Sequence, residues 1–487
     1  MRRATFLVHL AAAGVGCIGT AACAQAPGRG LERRLHGLVA AYHEFGQFDG
    51  TVLVAREGRI IFTRAYGLAN REWSVPNAVD TRFRIGSMTK AVTAILVLQL
   101  VDSNRIGLDV PVARYLADSV FPHRLGNRIT VRQLLTHTSG LPDFNDVPDF
   151  FRQMNAGVMS DRAILRRIGE FELRFEPGSS FGYSNDGYVL LGAILEAVTG
   201  TPYERLVADR VFRPAGMTES GYFSATRIIP RQAAGYRWAG DGVTHAAPYV
   251  ATPASGLYST VADLERFDRA LYGEALLSAA AKATVWLRPS GNAYGWLVGR
   301  EVLGGVDSVL VVRSDGAVPG FFAHSIRIPS ERLYVVALTN VRGPRNRLPA
   351  MVDGLARAAI GLPHVVPKPS LAMEMARASA ATRLSDWLRT HLRSQELSAV
   401  QAFFDVDELE INLAGYALMR ANIQDALTVF AVNARLFPAS ANVHDSLGEA
   451  LLVAGDTVRA IASYERALER APGNQQLRRL IRTLKGG

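Results

Sequence analysis

The chain has 487 residues, of which 48% are hydrophobic and 20% are charged, and its formal net charge at pH 7 is +10. This composition is that of a globular protein of about two to three domains, and no apolar run long enough to cross a membrane occurs beyond the N-terminal segment. The arginines that supply most of the charge are scattered and are not grouped with aromatic residues, which argues against a nucleic-acid-binding protein.

The first 24 residues have the features of a secretory signal peptide. Arg2 and Arg3 precede a largely apolar stretch, and Ala22-Cys23-Ala24 forms a small-x-small cleavage pattern before Gln25. We therefore expect residues 1–24 to be removed and the protein to be periplasmic or secreted, with no transmembrane span in the mature chain. An uncleaved N-terminal membrane anchor is the alternative.

The only two cysteines, Cys17 and Cys23, lie inside this N-terminal segment. A mature chain that starts near Gln25 would contain no cysteine, so export would not be accompanied by disulfide bonds. A lipid-modified cysteine fits less well, because Gly14 and Thr20 stand three residues before the two cysteines and match a lipoprotein signal poorly.

The predicted elements begin with a helix over residues 30–45, in which apolar residues recur at helical spacing. A β-hairpin follows, with strands Thr51–Ala55 and Ile60–Ala65 and a short turn at Arg56–Arg59 that contains Gly58. The middle of the chain is predicted to be helical, with helices at Ser87–Val101, Val131–Thr136 and Gly187–Thr199. Asn185 or Asp186 is the expected N-cap of the third helix, and Gly200 is expected to end it.

Three more strands are predicted near residue 320, followed by one helix; they lie at Ser308–Val312, Phe322–Ile328, Leu333–Thr339 and, for the helix, Pro349–Ile360. Strands at both ends of this region with helices between them indicate one antiparallel sheet that is assembled from distant segments and covered by helices. The predicted fold class is therefore α+β.

The sequence changes character after Leu362. Pro363, Pro367 and Pro369 predict a linker over about 363–380, and residues 381–487 have almost no strand signal. Five pairs of similar residues recur there with a period of 34: Leu413/Leu447, Ala414/Gly448, Ala426/Ala460, Phe430/Tyr464 and Pro438/Pro472. This pattern resembles tetratricopeptide (TPR) repeats, here at about 407–440 and 441–474.

Two repeats bury little surface on their own, so they need further contacts. A helix suggested by Leu384, Trp387, Leu388 and Leu392 is expected to dock on them, or the repeats pack on the preceding domain. A peptide, another protein or that domain are the possible partners of the repeat segment, since repeat surfaces are used for many purposes.

Ser87 and Lys90 form a Ser-x-x-Lys pair at the start of an apolar helix. Residues three apart share one face of a helix, so the Lys90 amine can reach the Ser87 hydroxyl and take its proton. Burial and the positive helix N-terminus both disfavour the ammonium form, which predicts a lowered pKa for Lys90. Alone, this motif also fits an ordinary capped helix with a surface lysine.

A second motif, Tyr183-Ser184-Asn185, lies about a hundred residues further on, just before another apolar helix. In an extended segment Tyr183 and Asn185 point the same way and can face one cavity. A tyrosine beside an ammonium group can have a lowered pKa and act as base and then acid, while the Asn185 amide can bind a substrate carbonyl and Lys90. A packed aromatic residue with a satisfied hydroxyl is the alternative for Tyr183.

Four segments together resemble the serine β-lactamase and penicillin-binding superfamily, in its class C β-lactamase, DD-peptidase and family VIII esterase branch. They are Phe83–Lys90, Leu134–Leu141, Pro177–Asn185 and Ser255–Thr260. The resemblance covers about Gly50–Leu362 and implies a hydrolase domain over residues 25–362. It implies an acyl-enzyme mechanism in which Ser87 attacks a carbonyl, Lys90 and Tyr183 move the proton, and the backbone N–H groups of Ser87 and Ala317 form the oxyanion hole. His137 is interpreted as a structural turn residue.

The chain departs from the family at its third motif, where Lys or His, a variable residue and Gly are expected. Ser314-Asp315-Gly316 stands there, so Ser314 replaces the cation that helps to hold a substrate carboxylate. Ser314, Gly316 and Ala317 remain candidate substrate-binding residues. The change favours ester or neutral amide substrates, and strand alternation is expected to direct Arg313 away from the cleft.

These observations predict an exported serine hydrolase that acts on a small-molecule ester, amide or peptide and is most like an esterase. A β-lactamase or D-amino-acid peptidase with the same mechanism is the alternative within this chemistry, and a non-catalytic binding protein is the alternative of another class. No cofactor is expected. No metal site is expected either, because the ten histidines show no paired spacing with acidic or cysteine ligands.

Overall fold

The computed structural model describes residues 29–156, 159, 161–238, 243–286, 291–304, 308–343, 345–381, 383–392 and 396–486. The expected signal peptide and both cysteines lie outside these residues. No helix among the described residues is long and apolar enough to cross a membrane.

An antiparallel sheet of seven strands forms the centre of the part of residues 29–362 that the structure describes. In spatial order the strands are Gly291–Ala293, Trp296–Glu301, Val309–Val318, Phe321–Ile328, Leu333–Thr339, Gly50–Arg56 and Arg59–Tyr66. Residues 50–56 pair along their whole length with residues 333–339, which confirms the predicted assembly of one sheet from both ends of the region. The first two strands of this order were not predicted from the sequence.

The predicted hairpin turn is confirmed at Glu57 and Gly58, which have φ angles of 54° and 73°. Positive φ at both central residues matches the right-handed twist of the two strands that the turn joins. The turn therefore sets the register of residues 50–56 against 59–66, apart from one irregularity between Val54 and Ala55.

Helices cover both faces of the sheet. The terminal helices Arg29–Glu44 and Leu348–Ala359 pack on one face, where Leu35, Val335 and Leu355 are fully buried. The other face carries the large helical region, in which the helix Thr89–Asp102 is central. Eleven of its residues, Lys90 included, are buried. Burial of each leucine or isoleucine there contributes about 1.5–3 kcal/mol, which fixes this helix in the core of the helical region.

The remaining elements of residues 29–362 are shorter. The other α-helices are His123–Gly126, Val131–Leu135, Pro148–Asn155, Asp161–Ile168, Asn185–Thr199, Tyr203–Val207, Arg213–Ala215, Val261–Ala270 and Ala279–Trp286, with a π-helical turn at Ala208–Phe212. The 3-10 turns are Gly86–Met88, Val112–Arg114, Phe144–Asp146 and Pro329–Glu331. The small strands are Leu68–Asn70, Val75–Pro76, Phe83–Arg84, Gly221–Tyr222, Tyr236–Trp238, Val243–His245, Leu257–Ser259 and Val341–Arg342.

One detail of the predicted helices is wrong. Ser184, and neither Asn185 nor Asp186, is the N-cap of the helix Asn185–Thr199, because its side chain accepts a hydrogen bond from the Gly187 N–H. Asn185 is thereby the first residue of the helix. Gly200 ends it in the left-handed conformation, with a φ of 68°, as predicted.

The C-terminal region is helical, with helices Leu371–Ala381, Leu384–His391, Leu397–Gln401, Glu408–Met419, Ile423–Leu436, Ala441–Val453, Thr457–Arg470 and Gln475–Gly486. The first of these helices begins within the predicted linker and ends one residue beyond it. It forms there because its apolar residues Leu371 and Met375 are buried in the core of the helical region. Residues 363–370 form no helix or strand. The helix at Leu384–His391 packs on the same core, as expected.

Candidate active site

Ser87 lies on the 3-10 turn Gly86–Met88, directly before the helix Thr89–Asp102. It is half-buried, whereas the neighbours Gly86 and Met88 are buried, so the side chain of Ser87 is the accessible part of this turn. Gly86 has a φ of 52°, and a Cβ there would lie 2.6 Å from the Ala317 backbone nitrogen. The turn can therefore approach the strand Val309–Val318 only with glycine at this position.

Lys90 follows one helical turn later and is 1% exposed. Its Nζ lies 3.0 Å from Ser87 Oγ and donates to Asn185 Oδ1 at 2.6 Å and to the Ala254 carbonyl at 3.0 Å. Burial lowers the pKa of Lys90 to about 7, and the negative charge of Asp143 opposes this only partly. A large fraction of Lys90 is therefore neutral near pH 7 and able to accept a proton from Ser87.

Tyr183 lies just before the helix Asn185–Thr199, and its hydroxyl donates a hydrogen bond to Ser87 Oγ at 2.9 Å. The lowered pKa that the sequence predicted for this tyrosine is wrong. Burial raises the pKa of Tyr183 above its ordinary value, and the hydrogen bond to Ser87 offsets this only in part. Tyr183 therefore keeps its proton at neutral pH and serves as a donor.

His137 packs against the ring of Tyr183. The two rings stack with centroids 4.5 Å apart, and His137 Nδ1 accepts a hydrogen bond from the Ser184 N–H at 3.2 Å. Burial lowers the pKa of His137 to about 3, and the nearby Lys90 adds to this effect. Its φ of 57° places it in a tight turn. A neutral histidine in this position agrees with the structural role expected from the sequence.

Asn185 is oriented by Asp143, a residue that sequence reasoning missed. Asp143 Oδ2 accepts from the Asn185 backbone N–H at 3.0 Å and from its Nδ2 at 2.8 Å. The amide group can then direct only its Oδ1 at Lys90. Asp143 is 5% exposed, and aspartate is rarely buried unless it has a specific partner. Its place two residues after the family-like segment Leu134–Leu141 was the signal in the sequence that could have identified it.

The strand Val309–Val318 presents an open edge to Ser87. Its pairing with the strand Trp296–Glu301 ends at Arg313, while its pairing with Phe321–Ile328 continues to Val318. A Cβ on Gly316 would lie 1.8 Å from the Ile85 carbonyl oxygen and 3.1 Å from the Ser87 nitrogen. The backbones of Ser87 and Ala317 are thus held side by side, which suits two N–H groups that bind one oxyanion.

Among the described residues, Ser314 forms no hydrogen bond with Ser87. It is buried, and its hydroxyl donates to the Gly295 carbonyl at the long distance of 3.4 Å. It also lines a small, mostly apolar cavity of about 30 Å³ together with Met88 and Trp296. Arg313 points to the opposite face, where it pairs with Glu301 and Asp353, as strand alternation predicted.

The described residues contain no group of three or more His, Cys, Asp or Glu side chains that could hold a metal ion. The groups around Ser87 are its own hydroxyl, a lysine amine with a lowered pKa, a protonated tyrosine and an oriented asparagine. Such a set can transfer an acyl group to Ser87 without further side chains.

The sequence was compared with protein families and with individual proteins of known identity. A family model described as Beta-lactamase matches residues 33–359. The chain is 27% identical over 409 residues to penicillin-binding protein 4* of Bacillus subtilis, which covers 79% of this chain and 88% of that protein. It is 37% identical over 213 residues to esterase EstB of Burkholderia gladioli, which covers 40% of this chain and 49% of the esterase.

Solved structures of related proteins have the same fold. The penicillin binding protein from Bacillus halodurans superposes with a TM-score of 0.55 at 30% identity and covers 63% of this chain and 94% of that one. The D-amino acid amidase from Ochrobactrum anthropi shares the fold, with a TM-score of 0.56 at 23% identity over 72% of this chain and all of the other. The chain therefore belongs to the β-lactamase family of serine hydrolases.

Proposed function

We propose that this protein is an exported hydrolase that cleaves small-molecule ester, amide or peptide substrates through an acyl-enzyme on Ser87, with the specificity of an esterase. The observation that carries the proposal is the position of Ser87 Oγ, which lies 3.0 Å from Lys90 Nζ and 2.9 Å from the Tyr183 hydroxyl. Both distances are within the range for direct proton transfer.

Acylation begins with the neutral form of Lys90. A neutral amine keeps two N–H groups, which suffice for Asn185 and Ala254, and its lone pair faces the Ser87 hydroxyl. Ser87 Oγ attacks the substrate carbonyl carbon while its proton passes to Lys90. The backbone N–H groups of Ser87 and Ala317 bind the oxyanion that forms.

Collapse of the tetrahedral intermediate breaks the bond to the leaving group, which needs a proton. The Tyr183 hydroxyl supplies it, and Lys90, whose Nζ lies 5.0 Å from the centroid of the Tyr183 ring, then returns the proton taken from Ser87 to the Tyr183 phenolate. Water then attacks the acyl-enzyme, and the same groups act in the reverse order. Asn185 holds Lys90 in place and can bind the substrate carbonyl.

The preference for esters rests on the third motif. Ser314 offers no cation and is buried, and Arg313 is engaged on the other face. A substrate carboxylate therefore lacks the partner that a β-lactam or a D-Ala-D-Ala peptide would need at this position. The likeness to esterase EstB supports the same preference, while the likeness to penicillin-binding protein 4* keeps the peptidase and β-lactamase alternatives in the test.

The test compares turnover of p-nitrophenyl butyrate, nitrocefin and a D-Ala-D-Ala peptide by the wild type and by Ser87→Ala. We expect the ester to be hydrolysed fastest and all turnover to be lost in Ser87→Ala. Activity that survives in the variant would overturn the assignment of the nucleophile. Faster turnover of nitrocefin or the peptide than of the ester would overturn the esterase specificity.

A fluorophosphonate probe distinguishes an enzyme from a non-catalytic binding protein. The probe reacts with an activated serine, so covalent labelling of Ser87 in the folded protein supports a working nucleophile. Absence of labelling, together with stoichiometric penicillin binding, would favour the non-catalytic alternative.

We further propose that the C-terminal helices are TPR repeats that bind a peptide or protein partner. In each helix pair a glycine packs under an aromatic ring: a Cβ on Gly415 or on Gly448 would lie 2.6 Å from Phe430 or Tyr464, respectively.

A groove of about 1100 Å³ runs between this helical segment and the catalytic region, residues 29–362. Its lining includes Trp238, Pro319, Tyr416 and Arg420. A pull-down with residues 363–487 deleted from the full chain, compared with the intact protein, tests this role.

Export rests on the features of residues 1–24 alone. Cell fractionation of the full-length chain and mass determination of its N-terminus test it, with cleavage expected before Gln25. An intact N-terminus in the cytoplasmic fraction would overturn this part of the proposal.

A further inference from the structure

Two arginines stand side by side on a small three-stranded sheet beside the C-terminal helices. Arg342 is the register partner of Arg237 in the parallel pairing of Val341–Arg342 with Tyr236–Trp238. Residues directly opposite each other on neighbouring strands point to the same face of a sheet, so the two guanidinium groups lie on one face. Like charges in this arrangement repel each other and destabilise the pairing. A bound anion would relieve that repulsion.

Neither arginine has a carboxylate partner among the described residues, although His245 and Arg345, which are close to them in the chain, do pair with acids. Arg342 instead lies over the Phe322 ring, with its Cζ 5.0 Å from the ring centroid. A guanidinium group that is stacked on a ring keeps its N–H donors at its edge. This contact therefore orients Arg342 and leaves its donors open to a ligand.

Both arginines line the groove between the catalytic region and the C-terminal helices. Arg420 lies on the opposite wall, directly after the helix Glu408–Met419, and also has no acidic partner within the described ranges. The acid in this lining is Glu449, which accepts a hydrogen bond from the Tyr416 hydroxyl at 2.8 Å. The described part of the lining therefore carries an excess of positive charge.

The groove also offers apolar and aromatic surface. Trp238 and Tyr416 line it together with Leu413, which is 40% exposed. A small inorganic anion would use only the arginines, whereas a polypeptide uses charged and apolar contacts together. The volume of about 1100 Å³ is at the upper end of sites that enclose drug-sized molecules, roughly 300–1,000 Å³, so an extended segment of several residues has room. Size and charge together favour an acidic polypeptide segment.

We propose that this groove binds a protein partner through an acidic segment, whose carboxylates pair with Arg237, Arg342 and Arg420. Hydrogen bonds between guanidinium and carboxylate groups are charge-assisted, and two adjacent arginines can hold one carboxylate or two neighbouring ones. Gly320, in the turn after the strand Val309–Val318, lines the same groove, so the partner lies beside the strand that carries the proposed oxyanion donor. This inference rests on the proposed partner-binding role of the C-terminal helices and adds the chemistry of the partner.

The test measures the fluorescence anisotropy of three labelled peptides with the full chain at neutral pH. The peptides share their Leu and Tyr residues and differ in having Glu, Gln or Lys at all other positions. We expect the Glu peptide to bind most tightly and its Kd to rise as salt is added. In the double variant Arg237→Gln with Arg342→Gln, we expect that Kd to increase by at least about tenfold. An unchanged circular dichroism spectrum shows that the variant is folded.

Arg435→Gln with Arg466→Gln is the matched control, because both residues are exposed arginines of the C-terminal helices outside the groove lining. This control removes the same charge, and we expect its Kd to equal that of the wild type. Equal binding of the three peptides, or an equal loss in the two double variants, would overturn the inference. Loss of binding in the Arg237 and Arg342 variant but not in Arg420→Gln would instead overturn the proposed role of the C-terminal helices in this groove.

Discussion

At the scale of single residues, the chemistry depends most directly on the protonation of Lys90. Its amine is enclosed by the side chains of the site, and burial sets its pKa at about 7, far below that of an exposed lysine. Burial by itself therefore lowers the pKa of the proposed base, and the nearby Asp143 carboxylate acts against this shift.

This lowered pKa predicts the direction of the pH dependence. Below pH 7 Lys90 holds its proton and cannot accept that of Ser87, so kcat/KM for p-nitrophenyl butyrate is expected to rise with pH through an apparent pKa of about 7. A pH–rate profile between pH 5 and about 9 measures it. A profile that is flat across neutral pH would contradict a neutral lysine as the base.

Tyr183 is expected to matter most where the leaving group is poor. Because it retains its proton, Tyr183→Phe removes the donor to the leaving group, and we expect kcat for an amide substrate to fall by about 10²–10⁴-fold. p-Nitrophenolate leaves without a proton, so the loss for p-nitrophenyl butyrate is expected to be much smaller. Equal losses for the two substrates would show that Tyr183 acts before the leaving-group step.

Asp143 is expected to act through Asn185. Asp143→Ala removes the acceptor of two hydrogen bonds and frees the Asn185 amide to rotate away from Lys90. We expect a fall in kcat of at least about tenfold and a shift in the apparent pKa of the pH–rate profile, because Lys90 loses both a fixed acceptor and a nearby negative charge. A loss of thermal stability with an unchanged profile would indicate a purely structural role.

At the scale of elements, the site is made by the contact of a helix start with a strand edge. The 3-10 turn Gly86–Met88 and the strand Val309–Val318 meet through glycines on both sides, Gly86 and Gly316. The two proposed oxyanion N–H groups come from these two elements, so their separation depends on how closely the backbones approach.

Gly316→Ala tests this contact. The added Cβ would lie 1.8 Å from the Ile85 carbonyl oxygen, so the strand and the turn must separate. We expect kcat/KM to fall by at least about 10²-fold, the order of the loss of one oxyanion donor. Gly299→Ala, on the adjacent strand with nothing within 4 Å of its Cβ, is the control and is expected to keep activity. Similar activity in both variants would contradict the close-contact argument.

At the scale of the whole molecule, the helical C-terminal region is joined to the catalytic region through buried charge. Arg347 precedes the helix Leu348–Ala359 and donates to both carboxylate oxygens of Glu410 at 2.5 and 2.7 Å. Asp405 and Ser370 complete the cluster, each through a hydrogen bond at 2.9 Å. Arg347 and Glu410 are both nearly fully buried, so each satisfies a charge that water cannot reach.

Arg347→Ala is therefore expected to destabilise the junction. It leaves the Glu410 carboxylate buried and unpaired, which costs about 3–5 kcal/mol. Thermal unfolding followed by calorimetry is expected to show an earlier transition of the C-terminal helices. Arg389→Ala, which breaks an exposed pair with Asp386, is the control and is expected to change stability by less than about 1 kcal/mol. Identical curves for the two variants would contradict a structural role of the cluster.

The sequence by itself determined the local and patterned features. Two β-rich runs and the Gly58 turn predicted the hairpin, and the strands at both ends predicted the antiparallel sheet, because these signals arise from neighbours in the chain. The Ser87–Lys90 spacing predicted their contact, since three residues make nearly one helical turn. The proline cluster, by contrast, predicted a linker that was too long. Residues 371–381 form a helix instead, because their apolar side chains pack in the core of the C-terminal region.

Only the tertiary structure decided what depends on distant contacts. The raised pKa of Tyr183 follows from its burial, and the orientation of Asn185 follows from Asp143, which lies 42 residues earlier in the chain. The register of two strands placed Asp315 opposite His324 and turned Ser314 toward Gly295. Desolvation and register are properties of packed elements, so no spacing along the chain could specify them.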